Sequence, residues 1–305
     1  MMKIIKNFLK KFETIKILLG LKNTYLIFKK INKQLINKNK ITHITSELKI
    51  QNKTYKLTTN PFDLRSYVID KGRQNHKINF LYDFLRKGYF FDIGANYGEF
   101  SVVISPKQYR TFCFEPNTLV FNCLKKTFKN SKDVSIYNVG VSDEENQEKF
   151  YSKILNSGNS SFKDSNQIKK IYSINDFANN FLIPYNCNLI KLSKFLEQNI
   201  TDKKIIINIK IDVEGFEYKI LNDILNYRHI NTCKLFIIFE NNQNSKPFRD
   251  QLNNILSNYK KFGFKFIVIP SLLENFNNFK KNYRDLNSID LNENSEICIV
   301  NYELF

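Results

Sequence analysis

One glycine-rich turn and one run of alternating charges hold the residues whose types and spacing could do chemistry. The turn is FFDIGANYGEFS, residues 90–101. Its apolar run reads as a buried strand ending in Asp92, after which Gly94, Ala95, Asn96 and Gly98 turn the chain into a helix. Small residues let a backbone approach a ligand closely, and a helix N-terminus favours negative charge. At the end of the next strand-like run Glu115 stands in FCFEP, where an acidic side chain can bind both hydroxyls of a ribose. A pyrophosphate cradle would read G-x-G-x-x-G, and here the spacing is G-A-N-Y-G with no third glycine. Alone, such a turn could be purely structural. Strand, turn, helix, strand and Glu together point to a nucleoside cofactor.

The charged run is IIINIKIDVEGFE, residues 205–217. It places Lys210, Asp212 and Glu214 at alternate positions on one side of a strand end, with Glu217 following inside a helix. Carboxyl ends of strands border the ligand crevice of doubly wound sheets. A carboxylate there can take a proton from a hydroxyl when burial or a neighbouring like charge raises its pKa, and Asp212 beside Glu214 provides that setting. Lys210 could hold a substrate oxygen or offset their charge. The alternative is that the two acids bond loop amides and cap the next helix. No His joins them, so no metal is expected. His43, His76 and His229 fall in no motif, which disfavours a His-based mechanism.

From Gly88 onward short β-rich runs alternate with helical patterns, as βαβ units around a parallel sheet require. The runs are Tyr89–Ile93, Arg110–Phe114, Val134–Val141, Ile205–Ile211, Lys234–Glu240, Phe264–Ile269 and Glu296–Tyr302. The helical stretches are Tyr97–Ser105, Asn117–Phe128, Phe216–Asn226 and Pro247–Phe262. Continuous apolar strands such as KLFIIFE predict a sheet covered on both faces. Two regions follow: a basic extension over 1–87, and an α/β domain over 88–305 with an insertion at about 144–198. Within the extension, a strand pair is expected through Glu47–Leu57, with a break at Asn60-Pro61.

DxGxxxG with an acid ending the second strand is the S-adenosylmethionine signature of Rossmann-like methyltransferases. The ordered blocks FDIGANYGEFS, FCFEPN, NVGVSD, LSKFLEQN, IKIDVEGFEYKIL and IIFEN resemble those of the FkbM-type methyltransferase family, from about Phe90 to Glu240. The resemblance implies a class I methyltransferase fold, with a mostly parallel seven-stranded sheet and helices on both faces. It implies S-adenosylmethionine as methyl donor, and methylation of a hydroxyl on a sugar, glycan precursor or similar small metabolite. By position, Asp92, Gly94, Ala95, Asn96 and Gly98 match the cofactor turn, Glu115 matches the ribose ligand, and Ser142 and Asp143 fall near the adenine. NSGNSSF, with Asn159, Ser160 and Ser161, resembles the family's Ser-rich substrate-side segment, and Glu240 joins it on that side; a plain loop is the alternative. Phe216 stands where many relatives have His. No [DN]PP[YFW] block follows the fourth strand and no Pro-Cys nucleophile occurs, which leaves hydroxyl methylation as the better fit. An RNA methyltransferase docking through its basic N-terminal region, and a non-catalytic scaffold of the same fold, are the competing readings.

The chain of 305 residues carries 47 Lys and Arg against 29 Asp and Glu, a net charge of +18. Residues 1–87 hold 20 of those cations against 5 acids, so the basicity belongs to the first quarter. Lys dominates in a chain crowded with Asn and Ile, a mixture that AT-rich codons alone can produce, so nucleic acid is not the expected partner. Five cysteines without a CxxC pair read as reduced thiols in a cytoplasmic protein. Residues 1–40 read as a helix with Ile5, Phe8, Phe12, Ile15 and Leu19 on one stripe, flanked by lysines. Such a helix can lie on an anionic membrane surface at the inner face of the membrane, or pack on the protein itself. The pattern does not decide the oligomeric state.

Overall fold

The structure, a computed structural model, describes residues 43–153, 155–162, 182–202, 204–241, 246–270 and 295–302. The expected helix over residues 1–40 and its membrane stripe lie outside the described residues. No described helix is long and apolar enough to cross a membrane. All five cysteines are buried and free of disulfides.

A hairpin comes first, β1 (Ile44–Ile50) and β2 (Lys53–Thr59), closed by Gln51 and Asn52. Both turn residues have positive φ, as the two-residue turn matching strand twist requires. Helices α1 (Leu64–Asp70) and α2 (Asn75–Phe84) follow. Then the alternation begins: β3 (Tyr89–Ile93), α3 (Glu99–Ile104), β4 (Arg110–Phe114), α4 (Thr118–Thr127) and β5 (Val134–Tyr137). The chain next builds β6 (Gly140–Ser142), β7 (Gln147–Lys153), a short 3₁₀ turn (Ser157–Asn159) and β8 (Leu182–Lys191). It closes with α5 (Leu192–Asn199), β9 (Ile206–Ile211), α6 (Glu217–Ile224), β10 (Lys234–Asn241), α7 (Lys246–Lys261), β11 (Lys265–Pro270) and β12 (Ser295–Val300).

Seven strands make the main sheet in the order β11-β12-β10-β9-β3-β4-β5. Its central pairs are parallel, and β12 runs antiparallel to both neighbours. Alternate side chains serve opposite faces. Phe91, Phe112, Ile209 and Ile237 enter a core with α5, α6 and α7. Phe90, Phe236 and Ile238 enter another with α2, α3 and the hairpin, where Leu48, Leu57, Ile69, Ile78 and Phe100 pack. Residues 44–85 therefore share a core with the main sheet.

One expected strand is corrected. The run Val134–Val141 is two strands in two sheets, because Asn138 breaks it by donating its side-chain amide to Glu115 O at 2.8 Å and Pro116 O at 3.0 Å. β5 stays in the main sheet, while β6 joins β8 and β7 in a three-stranded sheet. β3, β4 and β9 end level, and β10 runs two residues further. Ile93 pairs with both Phe114 and Ile211, and Ile211 pairs with Phe239. The next residue on each, Gly94, Glu115, Asp212 and, still within β10, Glu240, therefore lies along one edge.

Candidate active site

A cavity of about 320 Å³ opens along this edge. Its floor is the turn after β3. The Gly94 and Ala95 amides both donate to Phe114 O at 3.0 Å, locking the turn to β4. Gly94 has φ +74°, and a Cβ there would collide with the Asp212 carbonyl oxygen, so glycine is required where the β3 and β9 ends meet. Gly98, at φ +86°, opens α3, and a Cβ there would press on Leu124 and Phe128. That glycine serves packing and does not line the cavity.

Glu115 is buried, and each carboxylate oxygen accepts one backbone amide at 2.8 Å, Oε2 from Asn96 and Oε1 from Asn117. A carboxylate offers about four acceptor positions, so roughly two remain for a ligand. Burial pushes its carboxyl up to about 7, against the pull of those two amides. Asp92 is fully buried beneath the turn, with Ser101 donating to it at 2.6 Å and Lys210 Nζ 3.1 Å away. It supports the site from below and does not line the cavity.

At the other end Lys210 Nζ donates to Gly94 O at 3.0 Å and lies 3.5 Å from Asp212 Oδ2. Burial alone would lower its pKa, but Asp92 and Asp212 hold Lys210 above its ordinary value. Asp212 moves the other way. Desolvation would raise its carboxyl, yet Lys210, Arg65 and Lys77 hold it below its usual value. Glu214 reaches the cavity rim through a left-handed backbone, φ +52°, rather than by continuing the strand alternation. The crowding protein first, then the charges of Asp212, Glu217 and Glu240, push its exposed carboxyl up to about 8. The mutual raising expected for Asp212 and Glu214 therefore falls on Glu214 alone, because the cations surround Asp212. Glu217, by contrast, accepts the Val213 and Gly215 amides and holds the loop that carries Glu214.

The chain matches the Methyltransferase FkbM domain over residues 92–266, more than half its length. It belongs to the FkbM methyltransferase family. Solved structures similar to this methyltransferase include SMU.1697c of Streptococcus mutans, a putative methyltransferase in complex with SAH. They share 11% identity over 74% of this chain and 96% of that one, with a TM-score of 0.39. M. jannaschii TYW2 in complex with AdoMet shares 10% identity over 86% and 87% of the two chains, with a TM-score of 0.42. Pyrococcus abyssi Trm5b shares 12% identity over 87% of this chain, which spans only 57% of Trm5b, with a TM-score of 0.39. No curated protein matches in sequence.

In this FkbM methyltransferase Phe216, where the sequence resemblance leads one to expect His, is buried. Its ring lies 5.0 Å from that of Phe162, itself 4.9 Å from Phe150. The aromatic stack ties the small sheet to the loop after β9 and offers no proton carrier. Of the Ser-rich segment, Asn159 and Ser160 line the cavity, whereas Ser161 pairs with Tyr151 away from it. Glu240 lines the cavity. Ser142 is fully buried and donates to Asp143 at 3.1 Å, and neither lines the cavity, whose wall here is Val139, Gly140 and Val141.

Several side chains in and beside the cavity carried no motif. Arg65, on α1, lines the cavity and binds Glu99 at 2.7 Å. Asp63 is buried and joins three segments: it accepts from Tyr97 OH at 2.7 Å, Arg65 N at 2.9 Å and Ser157 N at 3.2 Å. Lys77, on α2, bridges Glu240 at 3.5 Å and Glu296. Glu240 and Glu296 are direct cross-strand neighbours, and like charges so placed repel unless a cation lies between them. An N-cap signal, Asp63 before Leu64, was the one local cue to this segment.

Proposed function

We propose that the protein is an S-adenosylmethionine-dependent O-methyltransferase acting on a hydroxyl of a sugar or glycan precursor. The observation that carries the reading is Glu115, with two acceptor positions unspent, in one cavity with Asp212, Glu214 and Glu240. The residues present fit the cofactor. Glu115 can accept both ribose hydroxyls, Val139 and Val141 offer apolar cover for a base, and surrounding carboxylates suit a cationic sulfur. When bound, S-adenosylmethionine supplies an electrophilic methyl group.

The chain's own residues do the rest. Glu240 presents acceptors for hydroxyl hydrogens, which suits a polyhydroxylated substrate. Glu214 takes the proton of the reacting hydroxyl as that oxygen takes the methyl group, so no charge builds on the oxygen. A carboxyl titrating at about 8 is matched to that task near neutral pH. Lys210 holds the Gly94 carbonyl and Asp212 in register, which keeps the turn and the acid end at one separation. Phe150 and Phe162 wall the cavity and limit water on the substrate side, with Phe216 packed behind them.

The test is calorimetry with S-adenosylhomocysteine, followed by incubation of the protein with labelled cofactor and fractionated cell extract. Label entering a carbohydrate fraction is the expected result. Label entering RNA would replace the acceptor class, and no binding at millimolar ligand would overturn the methyl-transfer reading altogether.

A further inference from the structure

Arg65 reaches the cavity from α1, outside the residues that match the family. Its Nε donates to Glu99 Oε1 at 2.7 Å, and Glu99 is almost wholly buried. The two terminal guanidinium nitrogens have no protein partner among the described residues, although the side chain is only 16% exposed. A guanidinium carries five donors in a rigid fork suited to a carboxylate or phosphate, and here one donor is spent. The neighbourhood selects between those anions. Asp212 also lines the cavity, and Arg65 and Asp212 each favour the other's ionised form across it. The second oxygen of Glu99 is buried and unpartnered. A phosphate on Arg65 would bring up to two negative charges to both acids with nothing to offset them. A group with one negative and one positive end brings a single charge to Arg65 and sets its ammonium toward Asp212.

Position agrees with charge. Glu115 ends β4 and Asp212 follows β9, with β3 between them. Two strand spacings are roughly 10 Å, the scale of a ribose joined through sulfur to an amino acid. We propose that Arg65, with Asp212 opposite it, forms the subsite for the zwitterionic amino-acid end of the cofactor. The inference rests on the S-adenosylmethionine reading above and adds that a helix preceding the methyltransferase domain completes the cofactor site. The domain's glycine turn grips the nucleoside; Arg65 reads the other end.

Binding separates the two ideas without any turnover measurement. Calorimetry would compare S-adenosylhomocysteine with its decarboxylated analogue on the full chain, as wild type, Arg65→Gln and Arg65→Lys. Wild type should prefer the carboxylated ligand by at least about tenfold, the value of a charge-assisted pair. Arg65→Gln should lose that preference to within about twofold while still binding the decarboxylated analogue. Glutamine leaves Glu99 without a cation and could unfold the protein, which a melting curve reports. Arg65→Lys keeps that charge and the fold but not the planar fork, and should cut the preference about fivefold. A wild type with no preference, or a folded Arg65 variant that keeps the full preference, overturns the subsite and leaves the cofactor reading standing. Failure of both ligands to bind wild type overturns the subsite and the cofactor reading together.

Discussion

At the Glu115 end of the cavity, polarity comes from one carboxylate held by two backbone amides, on a turn whose own amides are tied to the neighbouring strand. At the Asp212 end it comes from side-chain charges balanced across elements far apart in sequence: Arg65 on α1, Lys77 on α2, Lys210 on β9, and Glu240 and Glu296 on adjacent strands. Backbone donors stay put when a side chain is changed, so the first end should lose only what the altered residue itself contacts. A balanced set of charges is shared, so removing one member exposes the others. The difference teaches that a site built on backbone amides can be local, while one built on balanced side-chain charges has to be collective.

The comparison breaks hardest at Glu214. Glu214→Gln should lower turnover about 10²–10⁴-fold while S-adenosylhomocysteine binds within about threefold of wild type. Loss of binding in proportion to turnover would make Glu214 a binding residue. Lys77→Met comes next, since it leaves Glu240 opposite Glu296 with no cation between them. Breaking a largely buried pair costs about 3 kcal/mol, which denaturant melts would read as a lowered midpoint with unchanged slope. A neutral result would mean that Glu296, already pushed up to about 7 by burial, takes a proton in place of the ion pair.

Glu115→Ala should cost at least about tenfold in cofactor affinity, from two charge-assisted hydrogen bonds of about 1.5–3 kcal/mol each, with a folded protein and unchanged Asp212-end chemistry. Affinity unchanged in a folded variant would remove Glu115 from the ribose. The same carboxyl, with a value of about 7, should make affinity fall about tenfold from pH 8 to pH 6, as protonation takes away its acceptor capacity. Glu115→Gln should flatten that dependence.

The smallest effect is on ligand-free stability. Glu115 and Glu296 at about 7 and Glu214 at about 8 hold their protons more tightly folded than unfolded. That contribution is fully present below the unfolded carboxyl value and is lost as pH rises through 7 to 8. Melting temperature without ligand should therefore decline by a few degrees across that window, and less with S-adenosylhomocysteine bound. A melting temperature that climbs with pH would contradict the raised values.

Sequence by itself determined the βαβ alternation, the seven-stranded sheet, the turn of Gly94–Gly98 and the acid at Glu115. Each rests on local signals: apolar runs whose length and flanks name a strand, glycines where φ turns positive, and an acid one residue past a strand end. It also brought Lys210, Asp212, Glu214 and Glu240 to one crevice, because the carboxyl ends of neighbouring parallel strands border it. Tertiary structure alone decided the rest. Asn138 splits an apparently continuous strand because its amide finds carbonyls on another loop. Ser142 and Asp143 turn out to sit behind the wall that Val139, Gly140 and Val141 provide. Asp212 and Glu214 part in pKa because Arg65 and Lys77, from two other elements, join Lys210 around one and not the other. Arg65 and Lys77 enter the site from helices with no motif of their own. Charge balance depends on distances between segments that are remote in the chain, and the spacing of residues along one strand carries no record of them.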